Sequence, residues 1–193
     1  MSLIWLPIDY PKLPNIDYLL DVNNLNEGFA FWKFRRLTKI ESSPYCKSDW
    51  DEWTLENCPQ LVDWFADLPF LNIRNIKLNY QTKAVIGHID FTNPHSELLL
   101  WNNNDNNEPC GYRILVKGSR EKCLWVKTQQ GNISCNMPDS TDVYVLNHTS
   151  GIHGVADDND RWTIFCHAEI NSDKHRELIN QSLIKYNNYA ILD

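Results

Sequence analysis

The sequence predicts a mainly β fold, an antiparallel sandwich or barrel of which the double-sheet jelly roll is one standard form. Short runs of β-branched and aromatic residues recur between Ile73 and Ile170, and clusters of turn-forming residues separate them. Several short strands of this kind, with no internal repeat, are typical of two packed antiparallel sheets. The six runs are residues 84–91, 97–101, 112–117, 122–127, 142–146 and 161–170.

The composition is that of one folded domain of ordinary size. The chain has 193 residues, of which 42% are hydrophobic and 12% aromatic, so a sizeable core is expected and disorder is not. We expect a single domain over 1–193. Its predicted parts are an N-terminal flanking segment and helix (1–72), a jelly-roll core (73–170) and a C-terminal helix (171–193).

Helical spacing is visible on both sides of the predicted core. Pro59 begins a helix that Pro69 ends, and apolar residues at i, i+3, i+4 and i+7 give it one buried face: Leu61, Trp64, Phe65 and Leu68. A second helix is predicted to follow a Ser172 cap, with apolar residues at near-helical spacing: Leu178, Ile179, Leu183 and Tyr186. Residues 1–57, which contain four prolines, are predicted to form irregular segments packed over the core.

Charge and cysteine content exclude several classes of function. The net charge is −7, and no Lys/Arg cluster exceeds the pair Arg35-Arg36, so a nucleic-acid partner is not expected. The N-terminus lacks the basic start of a signal peptide, and no run approaches the ~18 apolar residues of a membrane span. The six cysteines are widely spaced, which favours reduced, mostly buried thiols. We expect a cytoplasmic protein without a membrane partner.

The segment Gly87-His88-Ile89-Asp90 carries a pair of potential metal ligands. Residues two apart on an extended segment point to the same side, so the imidazole and the carboxylate can reach one ion. The alternative is a hydrogen-bonded pair at a strand end. The His-x-Asp/Glu spacing occurs four times where chance predicts about one occurrence, so spacing does not select this pair. The other three are His95/Glu97, His167/Glu169 and His175/Glu177.

Downstream context distinguishes the first pair from the others. His153 follows His88 by 65 residues, in a predicted turn between Gly151 and Gly154, whose flexible backbone flanks it. Arg161 then begins an apolar strand, where its guanidinium can hold a carboxylate bidentately. His148 is an alternative to His153 as the distal ligand. For Arg161, the competing interpretation is a structural ion pair with a nearby aspartate. The aspartates are Asp157, Asp158 and Asp160.

These residues resemble the Fe(II)- and 2-oxoglutarate-dependent oxygenases, in the aspartyl/asparaginyl hydroxylase-like branch that includes some proline hydroxylases. The similarity runs from about Leu61 to Ile170 and keeps the order of the motifs. In sequence order these are His88-x-Asp90, Tyr112-Arg-Ile-Leu-Val, Trp125, Tyr144-Val-Leu-Asn, His153-Gly-Val and Arg161-Trp-Thr-Ile-Phe. The resemblance implies a double-stranded β-helix, a cupin-like jelly roll with flanking helices.

The resemblance also implies a function and a set of site residues. His88, Asp90 and His153 would bind Fe(II), Arg161 would pair with the distal carboxylate of 2-oxoglutarate, and Arg113 would contact co-substrate or substrate. The expected reaction is hydroxylation, with dioxygen, of an amino acid or of a residue in a peptide or protein. Asp/Asn/Pro-type substrates are expected, although the mammalian-type enzymes lack the carboxylate ligand that Asp90 provides, so the substrate does not carry over.

Two other function classes remain open from the sequence alone. One is a non-catalytic jelly-roll module that binds a ligand such as a sugar or peptide, with His88 and Asp90 only structural. The other is a cupin-type metalloenzyme that uses His88, His153 and a further ligand such as His167, without an oxo-acid co-substrate. Indifference to 2-oxoglutarate would favour either of them over the oxygenase.

Overall fold

The structure, a computed structural model, contains two antiparallel β-sheets and three α-helices within the residues it describes. These residues are 2–28, 32–41, 46–81, 83–90, 109–148, 151–156 and 160–193. The strands are β1 (Leu3–Pro7), β2 (Asn26–Glu27), β3 (Trp32–Arg36), β4 (Phe70–Gln81), β5 (Val85–His88), β6 (Gly111–Lys117), β7 (Leu124–Thr128), β8 (Gly131–Cys135), β9 (Val143–Leu146), β10 (His153–Val155), β11 (Arg161–Ile170) and β12 (Ile191–Leu192). The helices are α1 (Glu52–Asn57), α2 (Pro59–Phe65) and α3 (Ser172–Tyr186).

The strands pair in a nested order. The larger sheet has the order β12-β1-β9-β6-β11-β4-β3-β2, and the smaller one has the order β5-β10-β7-β8. From β4 to β11, the first strand pairs with the last, β5 with β10, β6 with β9, and β7 with β8, all antiparallel. The expectation of a mainly β protein with antiparallel sheets is therefore confirmed.

The two faces of the larger sheet contribute to two separate apolar cores. Side chains on one face, such as Ile76, Ile114 and Ile164, pack in a cluster with residues of α2 and α3. We call this the helix-covered face. Side chains on the opposite face, such as Leu115 and Tyr144, pack in a second cluster with residues of the smaller sheet. We call this the inner face, because it lies between the sheets.

The N-terminal segment is more regular than predicted. Strand β1 lies between β12 and β9, and β3 pairs with β4, so both extend the larger sheet instead of packing over it as irregular chain. Ile4, Trp5 and Leu6 are all buried. A strand covered on both faces reads as a continuous apolar run, without the alternation by which half-buried strands are recognised.

The predicted helices are present with corrected boundaries. Helix α2 begins at Pro59 and buries Leu61 and Phe65, as the spacing predicted. Helix α3 is capped by Asn171 rather than Ser172, because the Asn171 side chain accepts a hydrogen bond from the Lys174 N–H. The C-terminal helix does not extend over 171–193, since α3 ends at Tyr186 and β12 follows it to pair with β1. Among the described residues, no helix is long and apolar enough to cross a membrane.

Strands β6, β7, β9 and β11 agree with predicted runs to within two residues at each end, and β5 is shorter than its predicted run. The predicted strand 97–101 lies outside the described residues. Strand β4 was not predicted, although polar Asn75, Lys77, Asn79 and Gln81 alternate with apolar Ile76, Leu78 and Tyr80 as in a half-buried strand. Three of these four polar residues are nevertheless buried. A strand with one polar and buried face indicates a binding surface rather than a solvent edge.

Candidate metal centre

His88 and His153 meet as cross-strand partners. His88 is the last residue of β5, His153 is the first of β10, and the two are paired in the antiparallel register with ring centroids 4.5 Å apart. His153 therefore lies on a strand, where the sequence predicted a turn, since β10 is held on both sides by β5 and β7. Sheet pairing brings together these two histidines, which are 65 positions apart, and sequence separation alone does not reveal that pairing.

A β-bulge aims His88 into the space between the sheets. Val85 and His88 are three residues apart, so in a regular strand their side chains would lie on opposite faces. The register between β5 and β10 shifts between these two positions, and both side chains line the same cavity. Bulges are common beside functional sites because the extra residue redirects a side chain without ending the sheet.

Asp90 completes a compact cluster of three ligands just beyond the end of β5. Its backbone N–H donates to the His148 carbonyl at 2.9 Å, which fixes the turn. Its Oδ1 lies 3.3 Å from Nε2 of His88 and 3.7 Å from Nε2 of His153. One ligand atom from each residue lies within 4.8 Å of the others. Adjacent ligands of a first-row metal at ~2.1 Å are about 3 Å apart, so a small contraction suffices to bind one ion.

Both imidazoles are held in the tautomer that a metal requires. Nδ1 of His88 lies 2.9 Å from the carbonyl oxygen of Ile86, and Nδ1 of His153 lies 3.0 Å from that of Gly151. Because a carbonyl oxygen can only accept a hydrogen bond, each Nδ1 carries the proton. In the neutral form of each ring the lone pair is then on Nε2, the atom that faces Asp90. A second hydrogen bond of this kind is usual for metal-bound histidines.

The glycines next to the histidines make room for a tryptophan. A Cβ on Gly87 would lie 2.6 Å from the Trp125 ring, and one on Gly154 would lie 2.4 Å from it and 2.7 Å from the Val85 carbonyl oxygen. Trp125 thus packs against the side of β5 and β10 opposite the ligands. The sequence interpretation of Gly154 as a source of flexibility is replaced by close packing at this position.

Arg113 holds the outer oxygen of the carboxylate. Its Nη2 donates to Oδ2 of Asp90 at 3.0 Å, while Oδ1 faces the two histidines. The guanidinium is buried and lies over the Phe165 ring, with Cζ 4.2 Å from the centroid. Arg113 therefore orients Asp90, and its contact with co-substrate or substrate stays a prediction.

The electrostatics of the cluster suit metal binding. Burial would raise the pKa of Asp90, but the hydrogen bond with His88 and the charge of Arg113 outweigh it and hold the pKa below its usual range. The hydrogen bond to Asp90 raises the pKa of His88, whereas burial lowers the pKa of His153. Asp90 is thus ionised and His153 neutral near pH 7, as metal coordination requires, whereas His88 would have to give up the proton that its contact with Asp90 favours.

A cavity of about 110 Å³ opens beside the three ligands. On the same measure one water needs only ~10–15 Å³, so there is room for a small organic acid. The lining combines polar groups with an apolar wall. It consists of Trp32, Val85, His88, Asp90, Arg113, Leu124, Tyr144, Leu146, His153, Val155, Arg161 and Phe165.

Arg161 contributes a buried cation to this cavity. It is 2% exposed, and its terminal nitrogens donate to Oε1 of Gln81 at 3.2 Å and to the Tyr144 hydroxyl at 3.3 Å. Both partners are neutral, and its Nε has no hydrogen-bond partner among the described residues. The ion pair with Asp160 that the sequence allowed is not formed, because Asp160 binds Lys117 and the Trp162 indole. Asp157 and Asp158 lie outside the described residues.

The two alternative ligands, His148 and His167, are not part of the cluster. Among the described residues, the group able to hold a metal consists of His88, Asp90 and His153, and includes neither His148 nor His167. Burial lowers the pKa of His148 to about 4, and that of His167 to about 3, with the charge of Arg113 adding to the effect. Sequence reasoning missed Gln81 and Tyr144 as partners of Arg161. The polar alternation of β4 was the available signal for Gln81.

Comparisons with known proteins add little to this geometry. No protein-family model matches the chain, and a search of curated proteins found no match. Among solved structures, the chain is similar to an oxidoreductase of the 2OG-Fe(II) oxygenase family from Burkholderia pseudomallei, at 14% sequence identity and a TM-score of 0.43. The match covers 81% of this chain and 77% of that chain. A likeness of this degree does not establish a shared activity.

Proposed function

We propose that the protein is a non-haem Fe(II)- and 2-oxoglutarate-dependent oxygenase that hydroxylates an amino acid or a residue in a peptide or protein. One observation carries the proposal. A cluster of two histidines and one carboxylate shares a cavity with Arg161, a buried cation to which the described residues offer no anion. A metal with open positions and an acidic co-substrate meet these two requirements together.

The donor set fits Fe(II). Two imidazole nitrogens and one carboxylate oxygen on one side of an ion leave its other positions open, which is the ligand arrangement of non-haem iron oxygenases. The fixed tautomers of His88 and His153 and the Arg113 contact of Asp90 hold the three donors before any ion binds. Such preorganisation is expected of a resident metal site rather than of a chance cluster.

The surroundings of Arg161 fit the distal carboxylate of 2-oxoglutarate. Burial of a guanidinium costs free energy unless an anion neutralises its charge. The Arg161 guanidinium has only neutral partners, and its Nε has no partner among the described residues, so a bound anion would compensate for its burial. The Thr163 hydroxyl, two residues along the same strand, is also buried without a hydrogen-bond partner among the described residues. Arg161 lines the cavity and Thr163 does not, so a carboxylate bound in the cavity would satisfy the guanidinium.

The strand order supports a double-stranded β-helix as the underlying fold. Antiparallel pairing is nested from β4 to β11, and the chain passes repeatedly between two sheets, which supports a jelly roll. In this arrangement the ligands come from β5, the turn after it and β10 in the smaller sheet. Arg161 comes from the larger sheet, so the metal and the co-substrate carboxylate would lie between the sheets.

The chain's own residues would bind, orient and exclude water. Bound Fe(II), with 2-oxoglutarate and dioxygen, supplies the oxidising chemistry that converts 2-oxoglutarate to succinate and carbon dioxide and hydroxylates a C–H bond. His88, Asp90 and His153 hold one side of the ion, and Arg161 with Tyr144 orients the distal carboxylate. The apolar wall of the cavity, which includes Leu124 and Leu146, keeps water from the reacting groups.

Anaerobic titration with Fe(II) and 2-oxoglutarate tests this proposal. We expect a saturable visible charge-transfer band in the wild-type protein, lost in His153→Ala. In Arg161→Ala the band should require about 100-fold more 2-oxoglutarate, because a buried charge-assisted contact is removed. The matched control is His148→Gln, which changes a buried histidine outside the cluster and should leave the band unchanged.

Three outcomes would redirect the assignment. No band in a folded protein would support the ligand-binding module. Metal binding without any response to 2-oxoglutarate, and indifference to Arg161→Ala, would support the cupin-type metalloenzyme. Loss of the band in His148→Gln but not in His153→Ala would move the distal ligand to His148.

A further inference from the structure

A pair of cations lies on the inner face, outside the residues that line the metal cavity. Arg36 of β3 and Lys77 of β4 are direct cross-strand partners. Cross-strand partners point to the same face, and like charges placed this way repel each other. Both residues are partly buried. The repulsion between these two charges destabilises the sheet unless another group or a ligand compensates for it.

Neither cation is neutralised by a carboxylate among the described residues. Lys77 instead lies over the Phe34 ring, with Nζ 4.8 Å from the centroid. Burial, and next the charge of Arg36, lower the pKa of Lys77. By contrast, Lys33 on the same strand as Arg36 pairs with Glu27 at 2.9 Å. Lys33 is therefore paired with a carboxylate, whereas Arg36 and Lys77 have no carboxylate partner among the described residues.

The strand register connects this pair to the metal centre. Lys77 is paired with Phe165 on β11, and Phe165 is paired with Arg113 on β6. Phe165 lines the cavity, and Arg113 binds Asp90. Neighbouring strands are ~4.8 Å apart, so the backbone of Lys77 lies about 10 Å from that of Arg113 along one row of the sheet. A small molecule can span this distance.

The balance of charge on this face favours an anionic ligand beyond the co-substrate. The inner face carries four cationic residues: Arg36, Lys77, Arg113 and Arg161. Against them, the carboxylate in the cavity lining is that of Asp90. This local excess of positive charge occurs in a chain of net charge −7. A divalent metal would increase the excess, and one dianionic co-substrate bound at Arg161 would not remove it.

We propose that Lys77 and Arg36 form the substrate subsite, which holds a carboxylate or phosphoryl group of an anionic substrate while its reacting carbon faces the metal. The role as a substrate subsite rests on the proposed oxygenase function, whereas anion binding by the pair does not. Phe34, whose ring lies under Lys77, and Phe165, the cross-strand partner of Lys77, would contact the apolar part of the substrate.

Matched charged and neutral probes test the subsite. The pairs are L-aspartate with L-asparagine, L-glutamate with L-glutamine and O-phospho-L-serine with L-serine, together with inorganic phosphate. Each is titrated calorimetrically into metal-free protein and into the anaerobic complex with Fe(II) and 2-oxoglutarate. We expect an anionic probe to bind at least about tenfold more tightly than its neutral partner, and Lys77→Gln or Arg36→Gln to abolish that preference. Which anionic pair responds distinguishes a carboxylate from a phosphoryl group.

Two control variants separate local charge from net charge and folding. Lys77→Arg should retain the preference, and Lys33→Gln, which removes a positive charge elsewhere on β3, should leave it unchanged. Equal binding of charged and neutral probes, no response to any anionic probe, or a preference that survives Lys77→Gln would overturn the subsite. If wild type shows no Fe(II)/2-oxoglutarate complex but loses anion binding in Lys77→Gln, the oxygenase function fails and the anion site stands.

Discussion

The two faces of strand β11 differ in what they contribute to the molecule. Trp162, Ile164 and Cys166 are buried in the core that includes residues of α2 and α3. The alternating residues Arg161 and Thr163 face the other sheet and are just as buried, yet each carries a polar atom without a partner among the described residues. The two faces of β11 are thus equally buried, but one is apolar and the other is polar. On β11 the helix-covered face contributes apolar side chains to the core, and the inner face contributes buried polar groups that would bind ligands in the proposed function.

The largest effect is expected between the two sheets, at Asp90. Asp90→Ala removes one of three ligands and leaves the Arg113 cation beside the metal without its partner. We expect Fe(II) affinity to fall by more than about 1,000-fold, or about 4 kcal/mol, and coupled turnover to be lost while the protein remains folded. Equilibrium binding of Fe(II) and thermal unfolding measure the two effects. The matched variant Asp90→Asn keeps the shape of the side chain, and full Fe(II) affinity in either variant would exclude Asp90 as a ligand.

The opposite pattern is expected on the helix-covered face. Ile164→Ala removes buried apolar volume from the core beneath the helices, and should lower the free energy of unfolding by ~2–5 kcal/mol. Fe(II) affinity, measured below the unfolding transition, should stay within about twofold of wild type because Ile164 points away from the ligands. Chemical denaturation and metal titration on the same preparations check both parts. A large loss of metal affinity would show that the two faces are coupled.

A smaller effect is expected where the backbone is packed behind the ligands. Gly154→Ala places a methyl group against the Trp125 ring and the Val85 carbonyl, so β10 must shift next to His153. We expect Fe(II) affinity to fall by about tenfold, in the range seen when outer-shell partners of a metal are disturbed. The double variant Gly154→Ala with Trp125→Leu should recover part of the loss, because the ring contact is relieved. No change in metal affinity would contradict the packing role of Trp125.

The most gradual effect, spread over about two pH units, is a pH dependence on the helix-covered face. His175 of α3 lies 2.8 Å from the Tyr112 hydroxyl, and burial, with the nearby charge of Arg176, lowers its pKa to about 4. The unfolded chain then binds a proton that the folded one excludes, so stability decreases as the pH falls from about 6.5 towards 4. His175→Gln should reduce this slope by up to ~1.4 kcal/mol per pH unit. Denaturation midpoints at pH 4.5 and pH 8 measure it, and identical acid sensitivity in the variant would contradict the buried neutral state.

Local patterns in the sequence predicted the parts of the fold that depend on local physics. Pro59 and the apolar spacing after it predicted α2, and alternating or apolar runs predicted β6, β7, β9 and β11. Strand β1 and the register between β5 and β10 depend on partners far along the chain. No local pattern encodes such pairing, which explains why the N-terminal strands were missed.

The same division applies to the candidate site. The spacing of His88 and Asp90 suggested a shared ligand face, and the position of His153 suggested the third ligand. The bulge in β5, the Trp125 contact with Gly87 and Gly154, and the Gln81 and Tyr144 partners of Arg161 arise only when the strands pair. Residue types thus predicted which groups meet, whereas tertiary structure determines how they are held.

Crystals grown with Mn(II) and 2-oxoglutarate give the most direct test of the central claim, that the space between the sheets binds a metal at the three ligands and an acid at Arg161. Anomalous scattering locates the metal independently of the protein atoms. The predicted result is a single strong peak among Nε2 of His88, Oδ1 of Asp90 and Nε2 of His153, with a carboxylate of 2-oxoglutarate on the Arg161 guanidinium. A metal peak elsewhere, or 2-oxoglutarate bound away from Arg161, would contradict the account.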